Sequence, residues 1–123
     1  VKSKTTRDLS TPHEQYLADV FPGGHRSKSS GASASDPSDV TTADYVIEAK
    51  ATESKSISLK LSDWMGIRSK MKNGRRPMMA FRFRDPILNT NIDLVLKDVN
   101  DELELLDRLE VAEEKAWRYD QLG

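Results

Sequence analysis

At 123 residues and 13.9 kDa the chain holds one domain's worth of core, and 32% charged against 37% hydrophobic residues make that core thin or the functional surface large. No run approaches the roughly 18 apolar residues of a membrane span, and the absence of cysteine excludes disulfides and thiolate zinc sites, so a reducing cytoplasm is the expected setting. The formal charge of −1 conceals a division, +5 over residues 1–97 and −6 over residues 98–123, so a basic face can coexist with an acidic helix.

Residues 1–10 read as a flexible N-terminal segment. "STPHEQYLADVFPGG" (10–24) then predicts a short helix with Thr11 as N-cap, Pro12 in its first turn and Pro22-Gly23-Gly24 as its stop. Residues 25–38, "HRSKSSGASASDPS", are small, polar and basic, which predicts a mobile loop. Asp39 to Thr52 predicts a tight hairpin turning at Ala43-Asp44. "SLKLSDWMGIRSKMKNG" predicts a second helix with Leu61, Trp64, Met65 and Met71 along one side and Gly74 as C-cap. "RPMMAFRFR" and "NIDLVLK" predict two alternating strands joined by "DPILNT". In the acidic C-terminal segment Leu105, Leu109, Ala112 and Ala116 recur at helical spacing, predicting a long amphipathic helix over residues 100–121. The order predicts one α/β domain over residues 1–123, a mixed sheet flanked by helices.

The hairpin carries two charges where a buried strand is expected. Alternation puts Val46, Glu48 and Lys50 on one face and Tyr45, Ile47, Ala49 and Ala51 on the other. With Ala43-Asp44 as the turn, Thr42 opposes Tyr45 and the same register sets Asp39 opposite Glu48. Directly opposed like charges destabilise a sheet. A divalent cation between the two carboxylates compensates, and oxygen ligands without cysteine favour Mg²⁺, with Mn²⁺ able to substitute. Strand Glu/Lys pairs are also common on solvated faces, and Asp39 can alternatively cap a turn. Glu14 has two readings of its own: a partner to these acids, or the second half of a Thr11-x-x-Glu14 capping box.

"SD" at Ser38-Asp39, the short hairpin and "EAK" at Glu48-Ala49-Lys50 resemble the signature of the PD-(D/E)xK nucleases. Pro37 is displaced by one residue from the usual place. Within that superfamily the chain is most similar to archaeal- and phage-type Holliday junction resolvases, through Glu14, the "SSGA" loop with Ser30, Asp39, and Glu48 with Lys50; "GRRPMMAFRF" resembles their helix-to-strand return. The resemblance spans roughly residues 12–84. It implies a restriction-endonuclease-like fold and Mg²⁺-dependent hydrolysis of DNA phosphodiesters that leaves 5′-phosphate ends. It further implies that Asp39, Glu48 and the Ala49 carbonyl hold the ion, that Glu14 completes the site, that Lys50 positions the water, and that Ser30 takes part. It also implies branched DNA as the substrate, in a bacterial, archaeal or virus-infected cell, and the paired cuts that such a substrate needs, with the small size of the chain, predict a homodimer.

DNA binding requires cations around such a pocket. Arg26 and Lys28 flank the loop, and Lys70, Lys72, Arg75 and Arg76 cluster after the second helix. A solvated helix end explains Lys70 and Lys72 equally well. His13 and His25 read as surface residues or phosphate contacts. The C-terminal apolar stripe fits either packing on the domain's own sheet or a dimer interface, with Trp64 and Trp117 as other interface anchors. Two further readings remain at this stage: another endonuclease of the same superfamily, of restriction or repair type, and a non-catalytic nucleic-acid-binding module.

Overall fold

The computed structural model describes residues 6–27 and 39–122. Helix α1 (Thr6–Val20) leads into strands β1 (His25–Arg26), β2 (Val40–Thr41) and β3 (Tyr45–Thr52). Helix α2 (Leu61–Ser69), strands β4 (Arg76–Asp85) and β5 (Thr90–Leu96) and helix α3 (Val99–Leu122) follow. The five strands form one sheet in sequential order, antiparallel throughout except for the parallel β3–β4 pair. Parallel neighbours need a crossover, and α2 supplies it. The expected α/β architecture, a mixed sheet flanked by helices, is what the chain forms.

The two faces of the sheet are covered by different helices. On one, Leu17 and Ala18 of α1 pack against Val40, Ile47, Met78 and Ala80. On the other, Ile67 of α2 packs against Val46 and Met79, with Trp64, Phe81 and Leu96 around them. At about 25 cal/mol per Å² of buried apolar surface, each fully buried Ile or Met here contributes on the order of 2 kcal/mol. The hairpin closes through Thr42: its backbone N–H donates to the Tyr45 carbonyl at 2.8 Å, and its hydroxyl accepts from the N–H groups of Asp44 and Tyr45. The predicted register holds, with Thr41 paired to Val46 and Val40 to Ile47.

Several expectations need correction. Helix α1 begins at Thr6, inside the segment expected to be flexible, so Thr11 is interior and caps nothing, and Pro12 is accommodated mid-helix. The hydrogen bond that Pro12 cannot donate is the local cost of that continuation. His25 and Arg26 are a strand rather than loop. The remainder of the expected mobile loop, from Lys28 to Ser38, lies outside the described residues. Gly24 makes the return from α1 possible, because a Cβ there would stand 2.3 Å from the Ala18 carbonyl oxygen. Helix α2 is only nine residues long and Lys70, not Gly74, ends it; its buried contact is Ile67 beside Trp64, while Leu61, Met65 and Met71 are exposed. Asn73 and Gly74, at φ 57° and 75°, turn the chain into β4. Helix α3 meets the body through ion pairs of its first turns, to Arg76 and Lys97, but none of its residues is buried, so the apolar stripe is not covered by the domain's own sheet.

His13 is not at the surface. It is fully buried beneath the β4–β5 pair, its two ring nitrogens lack hydrogen-bond partners, and Nε2 stands 3.7 Å from Asp93 Oδ1. Arg82 holds Asp93 with bonds of 2.7 and 3.1 Å and stacks its guanidinium 4.9 Å above the Tyr16 ring. Burial first, and then the Arg82 charge, lower the His13 pKa to about 4 against the opposing pull of Asp93. As pH falls from 6.5 towards 4, the unfolded chain takes up a proton that the native chain refuses, so stability is lost through that window. Thermal unfolding across the window should show His13→Leu losing less stability than the parent on acidification, by up to about 3 kcal/mol; equal acid sensitivity in both would refute the buried neutral imidazole.

Candidate functional site

Asp39 stands where β2 gives out. Its backbone N–H donates to the Ile47 carbonyl at 3.1 Å, and its carboxylate Oδ2 accepts from the Ala49 N–H at 2.9 Å. The side chain takes the place of a backbone acceptor, and this holds the carboxylate against the stretch of β3 that carries Glu48 and Lys50. One residue beyond the Val40–Ile47 pair, the register sets Asp39 across from Glu48.

Glu14 comes to the same edge on α1, one turn before the Leu17 and Ala18 that seat the helix on the sheet. With Thr11 in the helix interior, the capping-box explanation of Glu14 is gone. The three acids form one electrostatic cluster. Burial raises the Glu48 carboxyl above its ordinary range and the Asp39 charge raises it further, while Lys70 and Lys50 oppose. Burial and then Asp39 likewise raise Glu14, against Arg26 and with a smaller push from Glu48. The cations are not close: Arg26 Nε lies 4.0 Å from Glu14 and Lys70 Nζ 4.0 Å from Glu48. Both shifts stay upward, with burial the leading cause and the Asp39 charge next, so these cations do not cancel the two together.

Lys50 points from the same face as Glu48 and donates to Asp63 Oδ2 at 2.9 Å. That bond is the leading cause of a lowered Asp63 carboxyl. Asp63, in the first turn of α2, is a site neighbour that the sequence reading missed; an acid near a helix start has an ordinary explanation in the helix dipole, and only the fold brings it to Lys50. Arg26 Nε is buried without a hydrogen-bond partner beside Glu14, an unsatisfied donor at the rim of the cluster. Ala49 faces α1, with its N–H committed to Asp39.

The cluster is one of charge and not a closed cage: among the described residues no three His, Asp or Glu side chains stand close enough to enclose an ion. Two of its carboxyls, Glu48 and Glu14, are raised chiefly by burial, and carboxylate oxygens are the donors that hard divalent cations take.

The cations expected to bind DNA divide. Arg26 and Lys70 flank the acids, and Lys72 is exposed just beyond Lys70. Arg75 and Arg76 do not join them. Arg75 donates to the Thr42 carbonyl at 2.7 Å, and Arg76 binds Asp101 and Glu104 of α3. Arg76 pairs with Tyr45, three residues or about 10 Å along the strand from Glu48. Lys28 and Ser30 lie outside the described residues. Comparison of the chain with protein-family models, curated proteins and solved structures finds no match.

The raised carboxyls carry a stability consequence of definite sign. A carboxyl whose folded pKa exceeds its unfolded value stabilises the native state while protonated, and that contribution is lost as pH rises through the folded pKa. Glu48→Gln and Glu14→Gln should therefore melt higher than the parent at pH 8, with the gap closing below about pH 4. Melting curves at those two pH values check this; variants that melt lower at pH 8 would show that the cations do offset the cluster.

Proposed function

We propose that the chain is a metal-dependent, structure-selective DNA endonuclease, most specifically a Holliday junction resolvase acting as a homodimer. The observation that carries this reading is the convergence of Asp39, Glu48 and Glu14 at one sheet edge, with Lys50 two residues after Glu48 on the same face. Two glutamates raised by burial and by a neighbouring aspartate cost stability without a cation, and such perturbed groups concentrate at functional sites.

In this reading Asp39, Glu48 and the Ala49 carbonyl would hold Mg²⁺ with Glu14 completing the site, and the ion, when bound, would supply Lewis acidity towards the scissile phosphate and its attacking water. The chain's own groups do the rest. The Ala49 N–H keeps the Asp39 carboxylate oriented, and Lys50, exchanging Asp63 for phosphate, neutralises charge building on the phosphoryl oxygens. Asp63 positions Lys50 until substrate arrives. Water oxygen bonds to phosphorus, the bond to the 3′ oxygen breaks, and that oxygen leaves with a proton, giving 5′-phosphate and 3′-hydroxyl ends. Arg26 and Lys70 grip the backbone on either side; no base-reading motif is present, so shape rather than sequence selects the substrate. Two symmetric cuts on a four-way junction require two sites related by a two-fold axis.

The Lys50–Asp63 pair also favours a second reading, a nucleic-acid-binding module whose lysine has a purely structural partner. Labelled four-way junction and matched linear duplex, incubated with Mg²⁺, separate the two. Paired symmetric nicks at the junction are expected, with Asp39→Asn and Glu48→Gln losing at least about a thousandfold in rate while retaining junction binding. In the absence of DNA, Mg²⁺ should raise the melting temperature of the parent and not of either variant. Junction binding with no cleavage by the parent and no thermal shift with Mg²⁺ would favour the binding module, and cleavage of duplex and junction alike would favour a different nuclease of the superfamily.

A further inference from the structure

Helix α3 is 24 residues long, about 36 Å, and none of its residues is buried. Leu105, the best covered of its large apolar side chains, is still 38% exposed. Its first turns are tied to the body by charge: Arg76 to Asp101 and Glu104, and Lys97 to Glu102 at 2.6 Å. Beyond these anchors the helix carries an apolar seam. Leu105, Leu109, Ala112, Ala116 and Tyr119 recur at alternating steps of four and three, the heptad spacing of a and d positions with Leu105 at d. A contiguous apolar seam left in water marks a surface that another chain can cover.

We propose that α3 pairs in parallel with α3 of a second copy of this chain. The flanking charges choose both occupant and direction. In the heptad frame set by the seam, Arg108 and Lys115 occupy g positions, and Glu113 and Asp120 occupy e positions. Parallel helices bring each g residue to the e residue of the partner's next heptad, so Arg108 meets Glu113 and Lys115 meets Asp120 of the second copy, twice over by symmetry. Antiparallel pairing would set g against g and e against e, cation on cation and acid on acid. Arg118 bonds Glu114 and so does not compete for Glu113 or Asp120, whereas Arg108, which bonds Glu104 within its own helix, has to share that partner with Glu113 of the second copy. Leu106, at an e position, widens the seam. Two alanines keep the contact modest, so the association is micromolar rather than tighter. The pairing supplies the two subunits that junction cleavage requires, yet it stands on α3 alone.

Sedimentation equilibrium of the full chain, without DNA or metal and up to about 100 μM, tests it. A dimer is expected. The double variant Arg108→Glu/Lys115→Glu should weaken self-association at least about tenfold, and mixing it with Glu113→Lys/Asp120→Lys should restore parent-like affinity as a heterodimer. Because the chain has no cysteine, Ala116→Cys reports direction directly: oxidation should link two copies through this a position, as only a parallel pair in register allows. Leu109→Asp should be monomeric with an unchanged circular dichroism spectrum. A parent that stays monomeric leaves α3 to a different partner and overturns the proposal, as does a dimer indifferent to both Leu109→Asp and charge reversal. Since no DNA enters these measurements, their failure is separable from failure of the cleavage reading.

Discussion

The hydrogen bond from the Ala49 N–H to the Asp39 carboxylate is the constraint on which the site depends. It lies at the point where the β2–β3 ladder ends, so one side chain both finishes the sheet and opens the acid cluster. The bond is possible only in one register, and Thr42 sets that register by gathering the N–H groups of Asp44 and Tyr45 onto its hydroxyl. A slip of one residue would turn Glu48 and Lys50 towards α1 and Ile47 towards α2, exchanging apolar for charged side chains on both faces. Val40 and Ile47, both fully buried, make such a slip expensive.

The cluster sits against the strongest packing in the molecule for a physical reason. Holding Glu48 and a half-buried Glu14 beside Asp39 works against folding, since burial and the Asp39 charge disfavour the charged forms of the two glutamates. Covering the sheet on both faces around β3 and β4 supplies the opposing stabilisation. The same compromise recurs beneath β4 and β5, where His13 stays neutral beside the Arg82–Asp93 pair.

How much of this could be read from the sequence depended on how local the cause was. The hairpin register and the alternation of Glu48 and Lys50 follow from Thr42, the turn and strand geometry, all within a few residues, and they emerge as expected. The start of α1 does not. A threonine before a proline is a strong N-terminal signal, but it was outweighed by continuation of the helix through Pro12, and with that went the capping account of Glu14. The buried face of α2 was misjudged because the helix stops at Ser69, leaving only Trp64 and Ile67 able to reach the sheet. Asp63 carried no signal towards Lys50, since only the crossover geometry joins them. The seam of α3 was visible as a period, but periodicity shows that a face is apolar and not what covers it.

The charge division of the chain acquires a cause in the way α3 leaves the domain. Arg76 and Lys97 spend their charge on Asp101, Glu104 and Glu102, fastening the acidic helix to the end of the sheet where β3 and β4 begin. Arg76 is thereby removed from any surface that would hold phosphate, even though in sequence it belongs to the most basic run. The cations left beside the acid cluster, Arg26 and Lys70, come instead from a short edge strand and the end of a short helix. Charge in this chain is thus sorted by topology: Arg76 at the start of β4 and Lys97 after β5 orient α3, while Arg26 on β1 and Lys70 at the end of α2 face the carboxylates. A net charge near zero is the sum of those two separate tasks and describes neither.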